Sequence, residues 1–475
     1  MDENVKLIGL FVARTFDENN LNFIHAMQNL GQKQGYKLVI FSMDTTTPAG
    51  GDSTLAEEEL CGLAEYLPLE AFIILGETIK NMDLIDRIAG IARRRQIPCF
   101  CLDREAGGCY PIRHDYTSGF EEMVRHVVEE HGARCVNMLA GFEGHALSED
   151  RVMVYRKVLE ENGIAFEEER VGYGQFWEVP ARKEMERFLK SDLPMPEAIV
   201  CANDAMALVA CNVLEEAGYR VPEDVIVTGF DGIELIKYCI PRLTTGRVDQ
   251  EEIAEQIMHI VKRVETDPET APQSVLVPFH ILRGESCGCT PIHFQPSNRY
   301  VLELNERIDT KQIHIDRIFE MMTEMTEGHS MLDILKRFPE WAPDMIDGDC
   351  QVFVNEYFCR HTDIPISKGF RKDDILLLVD QRDGKMSLPF RKVKSHSIDM
   401  IPQEILEKTD RLLYLPLHWQ NEVYGYISLE CSDKEFDYER LKDFMMAMSQ
   451  ILGIVRNQSQ LYDMYIRDSL TGLYN

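Results

Sequence analysis

Short apolar runs alternate with longer amphipathic stretches from Val5 to about Ile112: KLIGLFVA, LNFIHAMQNLGQKQGY, KLVIFSMD, AFIILG, LIDRIAGIARRRQ and IPCFCLD. Short apolar runs read as buried strands, and apolar residues recurring every three or four positions read as helices. The order therefore predicts a parallel sheet wrapped by helices. The rhythm resumes with FEEMVRHVVEEHG, VNMLAG, VMVYRKVLEENGI, AIVCA, DAMALVACNVLEEAG and VIVTGF, a second unit of the same kind. Two such α/β lobes imply a cleft, and ligands of open parallel sheets sit beyond the carboxyl ends of the strands. The loops after GLFVA, CFCLD, NMLAG, AIVCA and VIVTGF are thus the candidate binding loops.

After Gly288 the alternation stops. RYVLELNERIDTKQIHIDRIFEMMTEMTEG places Leu304, Ile308, Ile315, Ile318, Met322 and Met325 on a heptad-like seam, interrupted by Lys311. DCQVFVNEYF, DDILLLVDQRDG and DRLLYLPLHWQNEVYGYISLE then predict a meander of short strands with turn residues between them. A last helix carries Leu441, Met445, Met448, Leu452, Val455, Ser459, Tyr462 and Ile466 on a second seam that thins toward its end. Two covers for this stripe are open: a parallel partner helix from a second copy, or, for its N-terminal half, the chain's own sheet.

Charge changes the choice of partners. Lys and Arg number 50 against 80 Asp and Glu, a formal charge of -30, which repels phosphate backbones and anionic lipid. No nucleic acid and no membrane partner is expected. The opening MDENVKLIGLFVAR has no basic export signal and no later run is long enough to span a bilayer, so a cytoplasmic protein with reduced thiols is expected. The 13 cysteines include two C-x-C pairs, Cys99/Cys101 and Cys287/Cys289, without a second C-x-x-C or a His pair nearby in sequence. Buried or loop thiols are expected at both, with no metal and no cofactor. Ser148, His145 and Glu149 lie close together, but nothing activates them. No G-x-S-x-G elbow, P-loop, H-E-x-x-H or dinucleotide fingerprint occurs in the sequence, so this chain is not expected to be an enzyme.

The stretch Cys201–Ile253, with AND, VPEDV, GFD and PRLTT in order, resembles the ligand-binding core of the lactose-repressor family, which has the type 1 periplasmic-binding-protein fold. LIGLFVAR, IPCFCLDR, HDYTSGFEEMVRHVVEEHGA, SEDRVMVYRKVLEENGI and VPFHILRGES extend the likeness to about Val5–Ser286. Repressors of this family open with a helix-turn-helix head, whereas here the first core strand falls within the first ten residues. The resemblance places Asp115, Arg151, Asn203 and Asp231 at effector-binding positions. Carboxylates, an amide and a guanidinium fork suit a polyol, a sugar or a purine-like molecule. Asn203 and Asp231 also suit plain loop capping. Trp177 falls where the family often stacks an aromatic on the ligand, though packing within its lobe fits it as well. Arg14 and Asp17, after the first strand, complete the candidate set.

Residues LPLHWQNEVYGYISLE, followed by an acidic loop and a long helix, resemble the closing hairpin of a GAF domain. DSLTGLYN, Asp468–Asn475, resembles the D-x-L-T-G-L-x-N opening of GGDEF domains, the diguanylate cyclases that make cyclic di-GMP. The expected order is a two-lobed ligand-binding sensor domain (1–290), a helical linker (291–340), a GAF-like domain (341–440), a signalling helix (441–467) and the start of a truncated GGDEF domain (468–475). The two helical seams, chiefly the C-terminal one, lead to the expectation of a parallel homodimer, and the resemblances imply a sensor that binds a small polar metabolite and controls a diguanylate cyclase output in the full-length protein. The alternative is a headless repressor-like binding module acting through protein contacts.

Overall fold

The computed structural model describes residues 6–15, 17–43, 54–267, 274–291, 297–327, 331–346, 348–356, 375–383, 385–394, 400, 403–419, 422–431 and 438–466. The chain folds into two units, one built from 1–112, 254–275 and 305–475, the other from 113–253 and 276–304. Asp468–Asn475, on which the GGDEF resemblance rests, lies outside the described residues. Among the described residues, no helix is long and apolar enough to cross a membrane.

In the first unit β1 (Lys6–Val12), β2 (Tyr36–Ser42), β3 (Leu69–Leu75), β4 (Cys99–Leu102) and β5 (Tyr110–His114) form the expected parallel array. β1 lies between β2 and β3, with Lys6 opposite Tyr36 and Val12 opposite Ser42. All but the first residue of β1 is buried, the pattern of a strand covered on both faces. The helix Met82–Arg95 shows how local sequence closes an element. Asn81 accepts backbone N–H groups from Asp83 and Leu84 at its start, and the arginine run Arg93–Arg95 faces the negative end of the helix dipole.

The sheet does not stop at β2. β17 (Arg411–Trp419) pairs parallel with it, Arg411 opposite Leu38 and Tyr414 opposite Phe41. The sheet continues through β18 (Glu422–Glu430), β13 (Cys350–Asn355) and β14 (Ile375–Arg382), which pair antiparallel. β15 (Lys385–Ser387) and β16 (Arg391–Val393) each pair with β14. The hairpin expected from LPLHWQNEVYGYISLE is present as β17 and β18. Strand pairing thus runs across the sequence boundary expected between 1–290 and 341–440. The physical reason is that β2 would otherwise present an unpaired edge of N–H and C=O groups. Lys37 Nζ donates to the Leu406 and Glu407 carbonyls at 2.7 and 3.1 Å, and Phe41 stacks on Tyr414 at 5.7 Å.

The two long C-terminal helices are Ser297–Thr326 and Tyr438–Ile466. On the first, Met325 is buried and Ile318 and Met322 half-buried, while Ile308 and Ile315 are exposed, as are Leu302, Ile313 and Phe319 outside the expected seam. On the second, Leu441, Met445, Met448, Leu452 and Val455 are buried within their own chain, against β17 and the helix Met331–Met345. Toward the end of this helix Tyr462 of the stripe is exposed, as are Leu461 and Tyr465 outside it. Of the two covers expected for this seam, the chain's own sheet takes Leu441–Val455.

The second unit holds a six-stranded sheet of β6 (Val136–Ala140), β7 (Val171–Tyr173), β8 (Ala198–Cys201), β9 (Ile226–Phe230), β10 (Thr244–Val248) and β12 (Phe279–Leu282). The order is β12-β10-β9-β8-β6-β7, parallel except for β12 against β10. β11 (Val275–Val277) lies where the chain passes between the units.

Candidate functional site

Four segments that follow the carboxyl ends of β6, β7, β8 and β9 converge in the second unit, where ligands of parallel sheets bind. From the helix Ala146–Glu161, which follows β6, comes Arg151, only 6% exposed. Its guanidinium carbon lies 4.8 Å from the ring centre of Phe230, 5.7 Å from Phe120, 5.8 Å from Phe176 and 5.9 Å from Tyr116. One Nη donates to the Ala202 carbonyl. Nε has no hydrogen-bond partner among the described residues. Burial lowers the Arg151 pKa from the ordinary guanidinium value, against the opposing pull of Asp231 and Tyr116. A buried cation on aromatic faces with a donor unspent is poised for an acceptor.

Asp231 closes β9 in a backbone conformation that L residues rarely adopt, with φ +115°. Its surroundings over-determine that strain. The Asp231 N–H donates to the Gly246 carbonyl at 2.9 Å, Gly232 N–H to Thr245 Oγ1 at 3.2 Å, and Ile233 N–H to Asp204 Oδ2 at 2.9 Å. Asp204 is fully buried and its carboxyl pKa is raised by burial, opposed by hydrogen bonds from Thr245 and this loop. Sequence reasoning passed over Asp204, although it stands in the same Ala-Asn-Asp element as Asn203.

Asn203 and Asp115 cap helices. Asn203 Oδ1 accepts the Met206 N–H at 3.0 Å and its Nδ2 donates to the Phe176 carbonyl at 3.3 Å. Capping is therefore Asn203's observed work, and its second bond holds the loop after β7. Asp115 Oδ1 accepts the Ser118 N–H at 3.0 Å at the start of the helix Tyr116–Arg125, which places Tyr116 beside Arg151.

Of the two neighbouring aromatics in GYGQFWEVP, it is Phe176 that faces Arg151. Trp177 is 67% exposed. Packing of Trp177 within its lobe is not what the structure shows, and the ring over Arg151 is Phe176. Gln175 and Phe176 both take positive φ, 55° and 60°, which turns the chain and swings Phe176 over Gly141. A Cβ on Gly141 would lie 2.1 Å from the Phe176 ring. Arg14 and Asp17 belong to the first unit, where they pair with each other at 3.3 Å on exposed side chains, Arg14 with φ 54°.

A second cluster in the same unit departs from expectation. His126, His131, Cys287 and Cys289 come together, with one ligand atom of each within 4.8 Å of the others. The His pair missing near the C-x-C in sequence is supplied from more than 150 residues away. Burial pushes the Cys287 thiol pKa up, but hydrogen bonding to His126 and Thr244 outweighs it and brings it to about 6. At the other pair, Cys99 and Cys101 are buried thiols.

Residues 124–287 match the family model described as a periplasmic binding protein-like domain. Over 261 residues, 54% of this chain and 74% of the relative, the sequence is 26% identical to the HTH-type transcriptional repressor PurR of Aliivibrio salmonicida. It is 30% identical over 190 residues to the probable HTH-type transcriptional repressor ExuR of Bacillus subtilis, covering 39% of this chain and 55% of that one. A solved regulatory protein of the LacI family from Chloroflexus aggregans superposes with a TM-score of 0.48 at 18% identity, over 60% of this chain and 99% of its own. Residues 124–287 are thus similar to a periplasmic binding protein-like domain. The PurR and ExuR relatives are HTH-type transcriptional repressors, the latter a probable one.

Proposed function

We propose that the protein is a non-enzymatic regulator that binds a small polar metabolite, sugar-like or nucleobase-like, at the loops around Arg151 and acts through protein contacts. The observation that carries this is Arg151 itself: a buried guanidinium, boxed by Tyr116, Phe120, Phe176 and Phe230, whose Nε donor is unspent. Flat aromatic walls favour a ring-shaped ligand, and the donor, with Asp231 close by, favours one carrying both acceptors and donors. The repressor relatives support a regulatory role. A ligand that prefers one conformation shifts the population toward it, which is how occupancy becomes an output.

A panel of sugars, nucleosides and nucleobases screened by thermal shift, then titrated by calorimetry, tests this. Losing one partner of a buried charged hydrogen bond costs about 2–5 kcal/mol, so Arg151→Ala weakens the ligand by at least about thirtyfold. Arg151→Lys, which keeps the charge but not the fork, recovers part of it. Unchanged affinity in a folded Arg151→Ala protein removes Arg151 from the site.

The formal charge of -30 leads to a further expected outcome: no salt-dependent retention of duplex DNA at physiological ionic strength. Nanomolar retention in a gel shift contradicts it.

A second reading is favoured by Asp468–Asn475, whose resemblance to a GGDEF opening makes the ligand a controller of a diguanylate cyclase in a longer chain. Residues 341–440 then serve as a GAF-like relay, and the open end of the last helix, at Leu461, Tyr462 and Tyr465, pairs with a second copy. A reading frame running on from Asn475 into a GG[DE]EF loop supports this reading, and a stop codon there removes it.

A further inference from the structure

We propose that His126, His131, Cys287 and Cys289 form a tetrahedral structural zinc site. The metric fit comes first. With Zn–N of about 2.05 Å and Zn–S of about 2.3 Å, a regular tetrahedron has edges of about 3.3 Å between nitrogens and about 3.5 Å between nitrogen and sulfur. His126 Nε2 and His131 Nε2 lie 3.2 Å apart, and Cys289 Sγ lies 3.6 and 3.3 Å from them. These are edges of a coordination shell, formed by atoms that carry metal-binding lone pairs.

The backbone is shaped to produce this shell. His126 and His131 are five residues apart, a spacing that an α-helix spreads around its surface. Here the helix Tyr116–Arg125 passes into a π-turn, His126–Glu130, and His131 N–H donates to the His126 carbonyl at 3.2 Å. A π-turn stacks such pairs on one face, and π-turns are frequent at functional sites. On the other side Gly288, with φ +82°, reverses the chain between the two cysteines. An L side chain there would be strained, which explains glycine in Cys-Gly-Cys.

The outer contacts are those of a metal centre. Both imidazoles present Nε2 inward, and Glu130 Oε2 lies 3.0 Å from the outer Nδ1 of His126. Glu130 is itself held by Arg283 through contacts of 2.9 and 2.8 Å. A carboxylate behind a ligating histidine fixes its tautomer and raises its basicity. Thr244 Oγ1 donates to Cys287 Sγ at 2.9 Å, as a hydroxyl does to a thiolate. Two thiols lose their protons to solvent as zinc binds, so two thiolates, two neutral imidazoles and Zn²⁺ make a neutral unit. That neutrality suits a place where Cys287 and His126 are buried. A two-sulfur, two-nitrogen tetrahedral set selects zinc over harder cations, and with four protein ligands no position is left for substrate. The site clips the segment that follows β12 to the helix after β5.

The test uses the full chain, purified without chelator. Elemental analysis is expected to give one zinc per chain, and exchange with Co²⁺ to give the intense visible bands of a tetrahedral thiolate complex. Cys289→Ser, at an exposed position, and His131→Ala are expected to fold by circular dichroism yet lose the metal on dialysis. Glu130→Gln is expected to keep the site with affinity lowered about 10- to 100-fold. Wild-type protein that neither carries zinc nor takes up Co²⁺, or folded variants that retain the metal as the wild type does, overturn the proposal.

Discussion

Leu452→Glu combined with Val455→Glu is expected to unfold the sheet that carries β13–β18, leaving no folded monomer. Leu441, Phe444, Met448, Ile451, Leu452 and Val455 are all fully buried on one face of the last helix. Phe444 meets Phe338 at 5.5 Å, and Gly453 lies so close to Trp419 that a Cβ there would fall 2.5 Å from its ring. Truncating one such leucine costs about 2–5 kcal/mol, and a buried carboxylate costs more, against a total stability of about 5–15 kcal/mol. Circular dichroism and light scattering check this. A well-folded monomer would show instead that the seam joins two chains, in conflict with its burial within one.

Gly425→Ala is expected to disrupt the same sheet from its centre. Gly425 sits in β18 between Leu417 of β17 and Val354 of β13. A Cβ there would stand 1.9 Å from the Phe353 carbonyl oxygen and 2.9 Å from its carbon. The obstruction is backbone, which cannot rotate aside, so the cost belongs at the upper end of the roughly 1–3 kcal/mol of overpacking, or beyond it. Urea unfolding followed by tyrosine and tryptophan fluorescence reads the loss. An unchanged transition midpoint refutes the close approach.

How much of the candidate site was legible follows from what kind of information each residue needed. Asp115, Arg151, Asn203 and Asp231 could be singled out because the stretches around them resemble the lactose-repressor family, while the apolar runs showed only where the strand ends and their loops lie. What Asn203 does was not legible, since capping a helix and binding a ligand call on the same amide. The choice between Phe176 and Trp177 was hidden as well. Two adjacent aromatics carry the same local signal, and the positive φ at Gln175 and Phe176 decides which one turns inward. Nor did the Cys287/Cys289 pair announce histidines lying more than 150 residues earlier.

The sequence by itself determined the elements. Alternating apolar runs and amphipathic periods marked β1–β4 and β6, β8 and β9 with their helices, because burial on a two- or 3.6-residue period is a property of neighbours along the chain. It also determined the formal charge of -30, which is a sum over residues and needs no fold. Only the tertiary structure decided which elements meet. β2 takes β17 as its neighbour, the last helix lays Leu441–Val455 on its own sheet, and a π-turn delivers two imidazoles to a Cys-Gly-Cys loop. A strand edge, an apolar stripe and a thiol each state that a partner is needed without naming it. That choice rests on contacts between residues far apart in the chain, and no local pattern encodes it.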